Sequence, residues 1–299
     1  MLWHGVCTNW CILKTNDARN DRENAMNIKR KLNSLYKLLV SNKITKPAIL
    51  GEKLIILATA PDVDRFLTNK SVQDRFRDYD VACINYMIYY SFDILQVIKP
   101  KYLVLLDPCL YDINSLPELP GIPSAAELAV VLEKIDWNCS IITNVLADFA
   151  VNNSNISYIR LSCFSAILSK RTRPFLKRNL ANLGTNNVIF GAIFFGIVFG
   201  YKEIALMGCP YRSLNAYMTE EGLHVVEHKH YYDSEALEYT ISNEELQARE
   251  ESFFSAINRR AIVNNTTIWN LGLLAKEYNC EITNYSPHNE MDAFRTKEL

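Results

Sequence analysis

Short apolar runs alternate with longer amphipathic stretches through the middle of the chain. Five runs predict buried β-strands at residues 53–58, 80–85, 102–107, 140–144 and 156–160. A helix is predicted over residues 125–134, between the third and fourth runs. Strands that are apolar throughout and alternate with helices are typical of a parallel sheet covered on both faces.

The second half of the chain continues this pattern with one interruption. Residues 188–199 predict an apolar helix that ends at Gly200, a residue suited to a left-handed helix cap, and residues 202–207 predict another buried strand. Residues 212–242 are polar, aromatic and irregular, and we interpret them as a small lid-like segment. Two helices, over 243–264 and 271–278, and a last strand over 280–284 complete the prediction.

The expected fold is therefore α/β. We expect a Rossmann-like, mostly parallel sheet with helices on both faces and the lid-like segment over the carboxyl ends of the strands. Residues 51–299 form a single domain in this interpretation, and residues 1–50 hold an N-terminal leader and an amphipathic helix. That helix, over residues 23–44, packs on the domain or, through its basic side, docks on an anionic membrane.

The composition narrows the class of protein. The 299 residues carry a formal net charge of -1, which argues against a nucleic-acid partner. The 8 cysteines include no CxxC pair, so we interpret them as reduced thiols in a reducing compartment. The N-terminus lacks the apolar core of a signal peptide, and no apolar run is long enough to span a bilayer. We expect a cytoplasmic protein, either free or peripheral at the inner face of the cytoplasmic membrane.

Polar residues follow several of the predicted strands. These are residues 59–62, Asn85, Asp107, Asn144 and residues 208–211. In open parallel sheets, ligands bind outside the carboxyl ends of the strands. A single such residue is explained by a helix cap or a turn, whereas five together indicate a ligand site.

The strand ends resemble, in order and spacing, the Campylobacter-type sialyltransferases of glycosyltransferase family 42. The matching stretches are residues 55–62, 83–85, 99–108, 185–187, 199–208 and 282–287. The clearest is Phe-Gly-Tyr-Lys-Glu-Ile-Ala-Leu-Met-Gly at 199–208. The last stretch resembles uncharacterised relatives from polysaccharide clusters. The resemblance as a whole covers about residues 53–294.

The resemblance implies a metal-independent glycosyltransferase with no cofactor. Its donor is a CMP-activated sialic-acid-like or other ulosonic sugar, such as Kdo, and its acceptor is a glycan or glycolipid of lipopolysaccharide or capsule synthesis. The implied donor-binding residues are Thr59, Ala60, Pro61, Asn85, Asn144, Thr185, Asn186, Asn187, Tyr211 and Tyr217. The implied general base is a lid histidine, His230 or, behind it, His228. The family also forms homo-oligomers, which this sequence leaves open.

Two departures from the family leave the mechanism open. The first turn has Ala58-Thr59-Ala60 in place of a glycine-rich sequence, and Asp107 replaces an asparagine. Asp107 is a candidate nucleophile for a retaining reaction, in contrast to the inverting reaction with a histidine base.

Three alternatives also remain at this point. His224, His228 and His230 have a spacing that a zinc site could use, although no fourth ligand is evident. Other activated sugars or phosphate-bearing molecules fit the same scaffold. An inactive domain that binds glycans or organises an assembly complex also fits it. The strings Asp62-Val-Asp64 and Asp78-Tyr-Asp80 are interpreted as helix-start and turn residues rather than as metal ligands.

Overall fold

The structure, a computed structural model, describes residues 43–106, 123–147, 151–183, 187–209, 216–226, 238–244, 253–287, 291 and 293–299. The predicted helix over 23–44 lies outside these residues except for its last two positions. The strands are β1 Lys53–Leu57, β2 Asp80–Ile84, β3 Tyr102–Leu105, β4 Cys139–Asn144, β5 Ile156–Leu161, β6 Glu203–Met207, β7 Ala216–Met218, β8 Gly222–Val226, β9 Glu238–Ser242, β10 Glu281–Asn284 and β11 Arg295–Thr296. The helices are α1 Asp64–Thr68, α2 Lys70–Arg75, α3 Met87–Tyr90, α4 Phe92–Ile98, α5 Ala125–Glu133, α6 Arg173–Lys177, α7 Val188–Val198 and α8 Phe253–Glu277.

Eight strands form one sheet in the order β11-β10-β6-β1-β2-β3-β4-β5, and every neighbouring pair is parallel. β1 lies at its centre, where Ile55 is opposite Val81 of β2 on one side and Ala205 of β6 on the other. The sequence-based prediction of an α/β, Rossmann-like parallel sheet is confirmed.

Helices cover both faces of this sheet. Leu54 and Ile56 of β1 pack on one side with residues of α7 and α8, while Ile55 and Leu57 pack on the other with residues of α1, α4 and α5. Side chains alternate between the two faces of a strand, so a strand that is buried on both faces must be apolar throughout. This explains why β1 is a continuous run of apolar residues after Lys53.

The apolar helix α7 lies between the sheet and the long helix α8. Its residues contact β1, β2 and β3 on one side and α8 on the other. Phe190 and all residues through Val198 are buried. A helix that is buried on every side has no polar face, which is why its sequence shows no amphipathic stripe.

Two predictions about the second half of the chain are wrong. Residues 212–242 are not irregular throughout, because β7, β8 and β9 form a separate antiparallel sheet within them. Backbone hydrogen bonds between Thr219 and Gly222 close the hairpin that joins β7 to β8. β9 reads Glu-Tyr-Thr-Ile-Ser, and this alternation of β-branched or aromatic residues with polar ones is typical of a strand.

The predicted break between two C-terminal helices is also absent, since α8 is continuous from Phe253 to Glu277. Residues 265–267 are poor helix formers, but Ile268, Leu271 and Leu274 are buried against α7 and the sheet. Thr267 donates its hydroxyl to the carbonyl of Val263 within the helix. Tertiary packing here outweighs the intrinsic preferences.

Among the described residues, no helix combines the length and the apolar character that crossing a bilayer requires. The cysteines at 83, 139, 163, 209 and 280 are free thiols.

Candidate functional site

The strand order reverses at β1. The chain adds β2 to β5 on one side of β1 and returns to place β6 on the other side. At such a reversal the connections leave in opposite directions, and a crevice opens beyond the carboxyl ends of the two strands. Leu57 and Met207 are the paired last residues of β1 and β6. The candidate site is therefore the edge at which residues 58–62 and 208–209 follow these two strands.

The turn after β1 is fixed from both sides. The N–H of Ala58 donates to the carbonyl of Met207 at 2.8 Å, and the N–H of Ala60 donates to that of Gly208 at 3.2 Å. Pro61 then starts a short 3₁₀ helix, Pro61–Val63, which leads into α1. The predicted site residues Thr59, Ala60 and Pro61 are thus all in this turn, directly beside the end of β6.

Gly208 brings the two strand ends into contact. Its φ is +73°, and a Cβ at this position would lie 2.5 Å from the carbonyl oxygen of Ala58 and 3.0 Å from the Cβ of Val63. Its N–H donates to the carboxylate of Asp62 at 3.1 Å. Only glycine combines the left-handed backbone with this approach to the neighbouring turn. The crevice between β1 and β6 is consequently closed at its base by backbone.

A second group of hydrogen bonds holds the chain after Gly208. The N–H of Cys209 donates to the hydroxyl of Ser286 at 2.7 Å, and Asn284 donates its side-chain N–H to the carbonyl of Cys209 at 3.1 Å. Asn284 also accepts the N–H of Ser286 at 2.9 Å. Ser286 in turn hydrogen-bonds the Asp62 carboxylate. These side chains connect the ends of β1, β6 and β10.

Asp62 is the charged member of this group. Burial raises the pKa of its carboxyl, and the hydrogen bonds from Ser286 and from the N–H of Gly208 act in the opposite direction. Cys209, which is also buried, has its pKa raised by burial and by the nearby Asp62. A thiol that stays protonated is a poor nucleophile, so Cys209 is unsuited to covalent catalysis.

Asn85, at the end of β2, has a hydrogen-bonding group without a partner. Its backbone adopts φ +46°, and its N–H donates to the carbonyl of Val104 in β3 at 2.9 Å. Its side-chain oxygen is shielded from solvent, and within the described part of the chain it accepts no hydrogen bond. A buried acceptor without a donor costs roughly 1–3 kcal/mol of folding free energy. Such a group is explained if a ligand supplies the donor.

Two other predicted residues serve local structure. Asn144 accepts the N–H of Leu146 at 2.9 Å and so stabilises the turn after β4. Asn187 accepts the N–H of Ile189 at 2.8 Å and caps the start of α7. α7 ends beside the start of β6, so its N-terminus and Asn187 face the carboxyl edge of the sheet.

The remaining predicted residues lie mostly outside the described part of the chain. These are Asp107, Thr185, Asn186, Tyr211, His228 and His230. Tyr217 is in β7, at the position opposite His224 of β8. His224 Nδ1 lies 3.2 Å from the hydroxyl of Thr240 in β9. Among the residues described, no three His, Cys, Asp or Glu side chains come close enough together to hold a metal ion.

The clearest stretch of the resemblance, residues 199–208, begins at the opposite edge of the sheet. The hydroxyl of Tyr201 donates to Asp80 at 2.6 Å and pairs with the hydroxyl of Tyr102 at 2.7 Å. Lys101 donates to the same Asp80 oxygen at 2.7 Å. Tyr79 donates to the carboxylate of Glu203. These buried and half-buried contacts join the starts of β2, β3 and β6, so this end of the stretch serves the scaffold.

A shallow apolar groove of about 290 Å³ lies in the helical layer, lined by residues of α1, α2 and α4. Leu67, Ile94 and Val97 are among its walls. It includes none of the predicted site residues, and we do not assign it to the candidate site.

Comparison of the chain with protein families, with curated proteins and with solved structures finds no match. Sequence reasoning counted Asp62 among the polar residues after β1 but interpreted its side chain as a helix-start residue, and it missed Asn284 and Ser286 as members of the candidate site. Asn284 follows the same rule as Asn85, a polar residue at the end of an apolar strand, and could have been found in this way. The partners of Asp62 are distant in sequence, and no local pattern indicates them.

Proposed function

We propose that the protein is a glycosyltransferase that binds a nucleotide-activated sugar beyond the carboxyl ends of β1, β2 and β6. The observation that carries this proposal is the buried, unpaired side-chain oxygen of Asn85. It belongs to a residue in a left-handed conformation, at the sheet edge where ligands of open parallel sheets bind. An unpaired acceptor on a fixed backbone is organised for a ligand before the ligand binds.

The chemistry of Asn85 restricts what the ligand offers at this point. An amide oxygen accepts hydrogen bonds, so the matching ligand group is an N–H or O–H donor. A sugar or ribose hydroxyl and the exocyclic amine of cytosine are both such donors. A phosphate or carboxylate of the same ligand would be repelled by this oxygen. The start of α7 beside Asn187 is the natural place for the anion, because helix N-termini favour negative charge.

The donor class is a CMP-activated ulosonic sugar, sialic-acid-like or Kdo-like, and the acceptor is a glycan or glycolipid. This part of the proposal rests on the resemblance to glycosyltransferase family 42. Three of the stretches that carry it, residues 55–62, 83–85 and 282–287, end at the edge with Asp62, Asn85 and Ser286. The roles of His230 or His228 as base and of Asp107 as nucleophile remain proposals of the same origin.

The proposal is tested by thermal unfolding of the full chain with a panel of nucleotides and nucleotide sugars. A ligand at 100 times its dissociation constant stabilises the folded state by about 2.7 kcal/mol. We expect CMP and CMP-activated ulosonic sugars to raise the melting temperature of the wild type. We expect no such shift for Asn85→Ala, whereas the exposed control Asn152→Ala should respond like the wild type.

Each other outcome contradicts the proposal. If only UDP- or GDP-sugars stabilise the protein, the donor is not a CMP-activated sugar. If nucleotides stabilise Asn85→Ala as much as the wild type, the nucleotide does not bind at the end of β2. A chain that responds to no nucleotide, yet binds glycans, would be a binding or assembly protein rather than a transferase.

Slow hydrolysis of the donor without acceptor, measured by release of CMP, is the expected sign of a competent enzyme.

A further inference from the structure

One part of the sequence carries positive charge that no acidic residue within it balances. Between Asp148 and Glu203 there are cationic side chains and no acidic ones, although the whole chain has a formal net charge of -1. The cations are Arg160, Lys170, Arg171, Arg173, Lys177, Arg178 and Lys202. Five of them fall within residues 170–178. A local asymmetry of this size in a chain with balanced charge indicates a surface for an anionic partner.

Residues 167–178, which we name the basic platform, lie in the connection between β5 and α7. The chain enters this region from the end of β5 at Leu161 and returns to the start of α7 at Asn187. Backbone hydrogen bonds of Asn182 with Phe164 and Ala166 hold the two ends of this connection together. The basic platform is therefore anchored beside the end of β5, where Asn179 donates its side-chain N–H to the carbonyl of Arg160 at 2.9 Å.

The basic platform is held in one conformation. Thr172 donates its hydroxyl to the carbonyl of Ile167 at 2.6 Å, and Ser169 and Thr172 exchange further hydrogen bonds. Arg173 pairs with Glu277 of α8 at 2.6 Å. Leu176 is fully buried and fixes the orientation of α6. The exposed side chains are thus presented by a braced turn and helix.

What the basic platform exposes is both cationic and apolar. Lys170, Arg171, Lys177 and Arg178 are exposed, and within the described part of the chain none of the four forms an ion pair. Phe175 is 54% exposed and Ile167 is 69% exposed. Successive helical residues are separated by about 100°. With Leu176 inward, Phe175 and Lys177 lie on its flanks and Arg178 points outward.

We propose that the basic platform docks the protein on an anionic lipid bilayer. Lysine and arginine near a bilayer are attracted by anionic headgroups, and exposed apolar side chains beside them enter the boundary between headgroups and acyl chains. Phe175 and Ile167 favour a bilayer over RNA or a polyanionic glycan, because an aliphatic side chain such as Ile167 has no partner in those polymers. Docking here would hold the protein at the membrane surface, where a glycolipid acceptor is found. This last point rests on the proposed function, whereas lipid binding itself does not.

The test is flotation of the full chain with vesicles of phosphatidylcholine, with and without phosphatidylglycerol. We expect the wild type to bind only the anionic vesicles. Lys177→Gln/Arg178→Gln should weaken this binding about 30-fold, the value expected for loss of two cations near an anionic surface. The matched control, Lys134→Gln/Lys297→Gln, removes two exposed cations elsewhere and should bind like the wild type. Phe175→Ser should also weaken binding, whereas Val97→Ser, at another exposed apolar residue, should not.

Thermal unfolding of each variant separates loss of binding from loss of folding. The proposal is overturned if the wild type ignores phosphatidylglycerol, or if the two double variants bind equally well. It is also overturned if Phe175→Ser keeps full binding to vesicles while single-stranded RNA binds the wild type more tightly than the vesicles do. Failure of the nucleotide panel would leave these binding results unchanged, so the two proposals fail separately.

Discussion

The contact of Gly208 with the turn after β1 gives the sharpest prediction for the candidate site. The variant Gly208→Ala adds one methyl group at a backbone with φ +73°. That methyl carbon would lie 2.5 Å from the carbonyl oxygen of Ala58 and 2.8 Å from its carbonyl carbon. Both neighbours are backbone atoms, so no flexible side chain can move aside.

The expected loss of stability in Gly208→Ala has two contributions. A side-chain-bearing residue in the left-handed conformation costs about 1–2 kcal/mol. Overpacking a tight site costs a further ~1–3 kcal/mol. The free energy of unfolding should therefore fall by about 2–5 kcal/mol. The strand ends must also separate, which weakens the hydrogen bonds from Ala58 and Ala60 to β6.

The matched control is Gly200→Ala. Its φ is +92°, but the nearest atoms to an added Cβ belong to Ile49 and lie 3.1 Å away or more. The control shares the backbone cost and has a milder clash, so it should lose about 1–2 kcal/mol. Urea denaturation followed by circular dichroism gives both values, provided that the dependence on urea is unchanged. Equal losses for the two variants would refute the idea that the turn after β1 is packed directly on Gly208.

Three further predictions concern single side chains. Asn85→Gly removes a buried unpaired oxygen and suits φ +46°, so it should raise the free energy of unfolding by about 1 kcal/mol while abolishing nucleotide binding; a destabilised variant in urea denaturation would show a structural role instead. Tyr201→Phe removes a hydrogen bond to the carboxylate of Asp80 and should cost about 1.5–3 kcal/mol in the same assay. Because it lies at the opposite edge of the sheet, calorimetry should find the dissociation constant for nucleotide unchanged, and a large change would contradict this separation. Asp62 has a raised pKa in the folded state, so its contribution to stability is present below the ordinary value of 3.8 and is lost as pH rises through the raised value. Asp62→Asn has no proton to lose and therefore escapes this loss. Urea denaturation at a series of pH values from below 3.8 upward should show the free energy of unfolding of the variant rising relative to that of the wild type. The opposite trend would show that the fold favours the charged carboxylate.

The large sheet was predictable because burial on both faces leaves a local signal. The runs at 53–58, 80–85 and 202–207 are apolar at every central position, and each forms a strand close to the predicted bounds. The antiparallel strands β7 to β9 carry a weaker signal, because their apolar runs are short and are interrupted by polar residues and Gly222. Glu220 and Glu221 form the turn between β7 and β8. The continuity of α8 could not be predicted from residues 265–267, since it depends on packing against α7.

The candidate site was predictable only in part. The rule that polar residues follow apolar strands selected Asn85 and the turn at residues 59–62, and the structure places both at the carboxyl edge. It also selected Asn144, whose side chain closes its own turn. Asp62 meets Gly208 and Ser286 only after the whole sheet has formed, and pairings between such distant residues leave no periodic pattern in a single sequence.

The position of β6 in the sheet has a consequence for how the protein is made. β1 is complete early in synthesis, but its second neighbour, β6, pairs Glu203 with Lys53 only after most of the chain has emerged. Until then, one edge of the apolar strand β1 stays open to other chains. Contacts between residues this far apart form slowly, and unpaired strand edges promote aggregation. Cells should therefore rely on chaperones for this protein, and fragments that end before residue 203 should aggregate even though five parallel strands are already present.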